Sequence, residues 1–392
     1  DSETPDGDGR IVLSLAVEGG PVRIAAREAD RDLEGTSAAL FERPLGAGGH
    51  YFGGIHFHTR YSHDGDRDVR AAYRHARDYR NLDVVAVTDH TPGSDAWERT
   101  VRVNEAYDDP GAFATIPAWE WSAVEGHANV YLRSPAADAG PAVADPMEEP
   151  SYGHFETDYG DDPTVHPTDV DWPADALLVP HHTGAGDGDP WGPWDWEREN
   201  DRITAVEIVQ RRGNFEADEP DDDWGIQFGD HGASVRDALD AGYRLGFVAG
   251  TDNHQGFPTV TPDGPTGLTC FAADARTREA VWDAMNERRT YATSGAPILC
   301  RFAVDGHPFG AAAALAGEPV RFSAELYGTA PIERVEVVSD GETVWERDPG
   351  ERDVVVEDEP LPAPDGESAY YYLRLRQADG HRAWVSPVWL DR

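Results

Sequence analysis

Short apolar runs broken by polar or Gly/Pro-rich stretches dominate the chain, and their spacing changes twice along its 392 residues. Near the N-terminus, RIVLSLAV and PVRIAARE flank the turn residues EGGP, which predicts a β-hairpin over residues 11 to 28. The acidic, Gly-rich stretch from Asp30 to His50 reads as a linker. Strand and helix patterns then alternate. IHFH is a candidate strand; DRDVRAAYRHARDYR places Val69, Ala72, Tyr73, Ala76 and Tyr79 on one helical face; LDVVAVTDH is a second apolar run. Strand, helix, strand is the crossover unit of a parallel sheet. AFATIPA, HANVYLR, ALLVPHH, AVEIVQ and LGFVAGTDNH extend the series, with helices expected near Ser94 to Tyr107, Ser234 to Ala241 and Thr277 to Arg288.

From about Pro297 the period falls to two. ILCRFAVDG, VRFSAELYG, IERVEVVSDG, ETVWERD and the closing YYYLRLRQADGHRAWVSPVWL predict a small C-terminal β-sandwich. Stretches from Ser134 to Ala176, Gly184 to Asp201 and Phe215 to Gly232 are rich in Asp, Gly, Pro and Trp and read as loops or insertions. No internal repeat is visible. The length suggests about two domains, and the pattern divides the chain into a hairpin and linker over 1–49, an α/β unit over 50–296 and a sandwich over 297–392.

Composition adds a constraint on environment. The formal net charge is −41, and all of the 33 basic residues are arginine. Carboxylates bind water and cations tightly, whereas lysine stems would add apolar surface, and this balance resembles that of proteins from salt-loving archaea. Hydrophobic residues at 39% and aromatics at 10%, spread along the chain, argue for a folded protein and against an acidic tail. Such a surface repels phosphate backbones and disfavours a nucleic-acid partner. No run approaches the roughly 18 apolar residues of a membrane span, and DSETPDGDGR lacks the basic and apolar regions of a signal peptide. A cytoplasmic, high-salt location is expected, although a start at Asp1 leaves a processed or exported form open. Cys270 and Cys300 share no motif, so neither a disulfide framework nor a cysteine zinc site is indicated.

The candidate chemistry lies where the apolar runs end: HFH, TDH, WEW, PHH and TDNH. In barrels of parallel strands that end is the active face. His56 and His58, two apart on an extended strand, point to the same side and can reach one cation. The scattered His50, His75, His154, His166, His231, His307 and His381 read as surface or satisfied core residues. Asp89 either caps its turn or orients a ligand. Glu207, inside AVEIVQ, would be an ionised group in a buried strand unless it faces the site. Trp119, Trp121, Trp191, Trp194 and Trp196 are expected to pack, some of them as pocket wall. There is no G-x-S-x-G elbow and no Gly-rich phosphate loop.

In this order, HFHTRYSHDG, VAVTDH, AWEWSAVEGHANVYL, VPHH and GTDNH resemble the motif series of the PHP (polymerase and histidinol phosphatase) metallohydrolases over roughly residues 50 to 260. Within that superfamily the chain is similar to the domain-of-unknown-function family DUF3604, whose tail pattern is echoed by EAVWDAMNERRTYATSGAPILCRFAVDGHPFG and WVSPVWL. The resemblance implies a distorted parallel (β/α) barrel holding two or three divalent ions of zinc, manganese or iron. Carried over by motif, the ligands are His56, His58, Asp64, His90, Glu120, His127, His181, Asp252 and His254. Gly54 stands where the family usually has an aspartate, and His63 beside Asp64 and His182 beside His181 leave two ligands ambiguous.

Clustered ions lower the pKa of a shared water and polarise the bond under attack, so hydrolysis is the implied reaction. Glu120 would bridge two ions, and His181 or Asp252 could pass a proton to the leaving group. The implied substrate is a small-molecule ester, a phosphoester by resemblance. Carbamate or carboxylate ester hydrolysis on the same ions is the alternative, as is a non-catalytic, metal-stabilised binding module. A phosphoester would call for guanidinium forks, for which Arg60, Arg211 and Arg212 are candidates, with surface pairing as the equal alternative.

The charge balance yields a first prediction. Self-repulsion should weaken the fold in dilute buffer and be relieved as the screening length shortens to about 3 Å near 1 M salt. Thermal unfolding followed by circular dichroism should shift strongly upward with KCl; a flat response would overturn the salt-adapted reading.

Overall fold

Connection length decides strand direction, because a tight turn joins only antiparallel strands whereas parallel neighbours need a crossover. In the computed structural model the described residues are 21–28, 33–37, 39–40, 48–62, 64–90, 94–123, 126–134, 166–170, 172–184, 193–217, 232–259, 266–364 and 366–392. Three of the parallel pairings span a helix, and a fourth, Ala312–Ala314 with Arg382–Asp391, spans strands alone. Gly49–Gly54 pairs with Val84–Val85 across the helix Val69–Arg74, Val84–Val85 with Ala114–Thr115 across Ser94–Tyr107, and Ala205–Gln210 with Gly246–Ala249 across Val235–Asp240. Ala118–Ala123 and Gly126–Leu132 are only two residues apart and pair antiparallel, with Ala176–His181 as the third strand of that sheet. The parallel (β/α) barrel expected from the sequence is therefore not formed. The architecture is mixed α/β and mostly sheet, with four α-helices among the described residues.

Regular ladders stop short of the histidine motifs. IHFH lies beyond the strand Gly49–Gly54, and single parallel bridges, Phe57 to Asn253 and His90 to Glu120, tie the irregular strand ends together. The helix after the first motif is capped by Asp68, whose side chain accepts from Arg70 N at 3.0 Å. It buries Val69, Ala72, Tyr73 and Ala76 as expected, but Tyr79 is exposed. The last turn, His75–Tyr79, is π-helical, with Arg80 N bonded to His75 O. The extra residue per turn rotates Tyr79 off the buried face.

At the N-terminus, Ala25–Glu28 pairs antiparallel with Leu33–Thr36, inside the stretch read as a linker. Residues 11 to 20 of the expected hairpin lie outside the described residues.

The C-terminal strands continue the same sheet that carries Gly49–Gly54. Its path runs from Leu299–Val304 through Val320–Ser339, Ser368–Gln377 and Arg382–Asp391 to Thr290–Thr293 and Leu268–Ala273, without a break at position 297. The long strand Val320–Ser339 pairs with Leu299–Val304 and Glu351–Leu361 in its first part, and with Glu342–Arg347 and Ser368–Gln377 in its second. One apolar cluster accordingly joins Phe57, Tyr73 and Val87 to Leu326, Val337 and Leu373. Among the described residues no helix is long and apolar enough to cross a membrane.

A buried carboxylate fastens these strands to the rest. Glu216 Oε1 accepts from Arg374 at 2.8 Å, Arg236 at 3.0 Å and Tyr372, and Oε2 accepts from Trp384 at 2.6 Å. Burial opposes its ionisation, but Arg374 and Arg236 outweigh that and hold it below the ordinary glutamate range. A depressed native pKa contributes stability above the unfolded value of about 4.3, and that contribution is lost as pH falls through the native value. Glu216→Gln should lower unfolding free energy at neutral pH by about 3–5 kcal/mol, because two arginines lose their buried counter-charge. The gap to wild type should close on acidification below pH ~4. Denaturant unfolding at a series of pH values is the test, and a pH-independent gap would refute the assignment.

Candidate metal centre

Sheet register gathers the first donors. Ser122 stands opposite His127 and His127 opposite His181, while Glu120, two residues before Ser122, shares their face. Two irregular segments close over this row. His58 N donates to Asn253 O at 2.8 Å, and Thr251 N and Asp252 N donate to His56 O at 3.0 Å. Close approach is needed here: a Cβ at Gly250 would stand 2.3 Å from Glu207 Oε2 and from His56 Cβ. Gly54 is likewise hemmed in, since a Cβ there would stand 2.5 Å from Pro258 O.

Glu120 is the hub. One oxygen, Oε2, lies 3.2 Å from His56 Nε2 and 3.1 Å from His58 Nε2. The other, Oε1, lies 2.7 Å from His127 Nδ1, 3.2 Å from His181 Nε2 and 3.6 Å from His90 Nδ1. Asp252 Oδ1 adds contacts of 3.3 Å to His58 and 3.8 Å to His56. Asp64, half-exposed, reaches His254 Nε2 at 2.8 Å and His90 Nε2 at 3.8 Å. His63 lies outside the described residues.

Three sets of ligating atoms are close enough to share an ion: Glu120, His127, His181 and His182; His56, His58, Glu120 and Asp252; and His58, His90 and His254. These sets contain eight of the nine metal-ligand candidates carried over by motif; the ninth, Asp64, is in none of them and reaches the cluster only through His254 and His90. The structure also adds His182, whose backbone φ is +35°. Such a left-handed backbone at a non-glycine residue costs about 1–3 kcal/mol; Asp252, at φ +49°, is in the same region.

Around the donors stands a shell that fixes their rings. His56 Nδ1 is 2.8 Å from Glu207 Oε2, which leaves Nε2 facing Glu120. His58 Nδ1 is 3.1 Å from Ser62 Oγ. Asp89 is an orienting residue rather than only a cap: it accepts from Thr59 N, Thr59 Oγ1 and Ser62 Oγ at 2.5, 2.7 and 3.2 Å. Asp252 Oδ2 is held by Gln210 Nε2 at 2.9 Å and by the Arg212 guanidinium, so Oδ1 is the oxygen left for the cluster. Gln210 and Ser122 were not picked out from the sequence. Gln210 ends an apolar strand in the manner of the other site residues, whereas Ser122 carries no such signal.

Of the candidate arginines, Arg212 is in the cluster through Asp252, and the charge of Arg211 is felt at His254. Arg60 instead pairs with Asp68 at 3.0 Å on an exposed surface. Trp119, Trp121, Trp194 and Trp196 are buried, and Trp191 lies outside the described residues.

Protonation suits cation binding. Burial lowers His127 and His254 to about 4, and takes His90 and His182 well below the usual imidazole value, so these rings are neutral donors. Burial would also raise Glu120, but the ring of imidazoles around it, with the His127 Nδ1 contact at 2.7 Å, outweighs burial and takes the carboxyl well below the usual glutamate range. His56 alone goes up, to about 9, because Glu207 and Glu120 overcome the effect of burial; there a proton neutralises the carboxylates in the way a metal cation would. Several buried ring nitrogens, His58 Nε2, both of His181 and His254 Nδ1, make no hydrogen bond of good geometry among the described residues. Buried polar atoms of that kind require a partner, and an imidazole and carboxylate set suits zinc, manganese or iron. The residues fit a group of divalent ions.

Comparison with known proteins agrees in part. The profile of the family described as "Protein of unknown function (DUF3604)" matches residues 72–139 and 260–324, about a third of the chain. An uncharacterised protein of Chlamydia pneumoniae is 31% identical over 178 residues, which cover 40% of this chain and 29% of that protein. One from Chlamydia muridarum is 28% identical with the same coverage. The match thus spans under a third of these relatives' length, and they give no support to a haloarchaeal origin. A crystal structure from Bacteroides vulgatus, of a two-domain protein containing a predicted PHP-like metal-dependent phosphoesterase, is 12% identical. It covers 90% of this chain and 98% of its own, with a TM-score of 0.44.

The donor inventory exceeds a single four-coordinate site. Reconstituted protein should therefore carry more than one divalent ion per chain by elemental analysis, and Glu120→Gln should lower that number. A stoichiometry of one or less in the wild type would refute the cluster.

Proposed function

We propose that the chain is a metal-dependent hydrolase that cleaves small-molecule phosphoesters at the Glu120-centred cluster. The observation that carries this reading is five imidazoles, from His56, His58, His90, His127 and His181, within 3.6 Å of one buried carboxylate. The structural carboxylate Glu216 also has four partners, but they are arginines, a tyrosine and a tryptophan that do not ligate cations, whereas the partners of Glu120 are imidazoles brought from four separate segments.

Divalent ions bound there supply water activated near neutral pH and Lewis-acid polarisation of the ester. The chain's own residues do the rest. Glu207 and Ser62 hold His56 and His58 by Nδ1, so that both present Nε2. Arg212 and Gln210 turn Asp252 so that Oδ1 faces the donors. His90, His254 and Asp64 are the partly exposed members of the cluster, and an ester reaches it from their side. Glu120 would help to hold the ions with both of its oxygens, and His181 or Asp252 would pass the proton to the leaving oxygen. Arg211, which directly follows the strand Ala205–Gln210, would meet the negative charge of a phosphoryl group as it develops. This charge, together with the motif series, favours a phosphoester over a neutral carbamate or carboxylate ester.

A panel of chromogenic phosphate, carboxylate and carbamate esters, assayed with manganese or zinc, tests the assignment. Phosphoesters should be cleaved, and Arg211→Ala should lower phosphoester kcat/KM about a hundredfold with metal content unchanged. Turnover of carbamates or carboxylates alone, insensitive to Arg211→Ala, would replace the substrate class; no turnover by fully loaded protein would overturn the enzyme.

A further inference from the structure

Successive side chains of an extended strand point to opposite faces. His181 ends the strand Ala176–His181 directly opposite His127, and both rings face Glu120. In regular extended backbone, His182 would therefore turn its ring away from them. It does not. Its φ of +35° swings the chain so that its ring centroid lies 4.5 Å from that of His181 and 4.8 Å from that of His127. The residue is also buried, at 3% exposure, with ligating atoms of Glu120, His127 and His181 all within 4.8 Å of its own.

A backbone conformation this unfavourable for a non-glycine residue persists only where the surroundings enforce it, and it collects at functional sites. Here its effect is to make two consecutive imidazoles converge. We propose that His181 and His182 both ligate. Glu120, His127, His181 and His182 then form a closed four-donor subsite for a zinc-type divalent ion. The subsite fills a tetrahedral shell from protein alone, the arrangement of ions that are retained. The His58, His90 and His254 group offers three donors, two of them partly exposed, and leaves positions for water and substrate. The other buried set, His56, His58, Glu120 and Asp252, shares its Asp252 with the Arg212 cation, so the His182 subsite holds its ion most tightly and the ions at the other two sets exchange more readily. This inference rests on the metal-binding part of the proposed function and not on the phosphoester choice.

The test is stepwise removal of metal from the loaded 392-residue chain by a chelator, followed by elemental analysis, with cobalt as the spectroscopic probe. The wild type should retain one equivalent after the others are stripped. Loaded with cobalt, that last equivalent should show the intense visible absorption of four-coordinate geometry. His182→Gly keeps a left-handed backbone without strain and removes the imidazole, and His182→Asn does nearly the same. Both should bind the last ion at least about tenfold more weakly, a loss no smaller than that from an outer-shell substitution, with unfolding of the metal-free protein unchanged or improved.

Retention of the last equivalent at wild-type affinity in both variants would show that the turn serves packing alone and would overturn the proposal while leaving a metal-dependent enzyme intact. Weak, six-coordinate cobalt absorption from the last equivalent of wild type would also overturn it, independently of whether the variants fold. Failure of the wild type to bind any divalent ion would instead refute the proposed function, and this subsite with it.

Discussion

A carboxylate buried among imidazoles governs the structure. Removing an ion such as Glu120 from water costs several kcal/mol unless opposite charge and hydrogen bonds compensate, and its surroundings are arranged for that compensation. His127 and His181 come from two strands of one antiparallel sheet, His56 and His58 from the segment after Gly49–Gly54, and His90 from the end of the Val84–Val85 run. Because His56, His58 and His90 are also fixed from behind, by Glu207, Ser62 and Ser122, none of the three can relax into solvent without leaving another polar group unpaired.

The same logic recurs away from the site. Glu216 is a second buried carboxylate, but its partners are two arginines, a tyrosine and a tryptophan, all of which donate. Arginines cannot be deprotonated and do not ligate cations, so this centre is fully compensated and serves as a fastener. The imidazole cluster differs in kind. Four of its ring nitrogens, His58 Nε2, both of His181 and His254 Nδ1, make no hydrogen bond of good geometry among the described residues, which is why one buried carboxylate reads as structural and the other as a candidate metal centre.

Continuity of the sheet has a consequence for the site. Arg382–Asp391 pairs with Thr290–Thr293, which pairs with Leu268–Ala273, which pairs with Gly49–Gly54, the strand that leads into His56 and His58. The C-terminal strands therefore brace the first ligand motif through an unbroken hydrogen-bond ladder and a shared apolar core. A scaffold of this kind can hold the strained backbones at His182 and Asp252, which an isolated loop could not.

That these imidazoles and carboxylates would gather was legible in the sequence because such residues at the ends of apolar runs leave a local mark: two histidines two residues apart, or an acid beside a histidine after a buried strand. Helices were equally readable where caps and periodicity agree, as at Ser234 and Thr277. Strand direction was not, because alternation of apolar runs is blind to pairing; the two-residue link before Gly126 made an antiparallel sheet where a parallel barrel was expected. Tyr79 was misplaced because one π-helical turn shifts the phase of a face without changing composition. The sequence alone determined which residue types were available to bind cations and roughly where the strands end. Only the tertiary structure decided that Arg212 grips Asp252 while Arg60 pairs with Asp68 on the surface, and that His182 turns back toward His181. Those outcomes depend on backbone dihedrals and on contacts between residues far apart in the chain, and neither leaves a periodic trace in the order of amino acids.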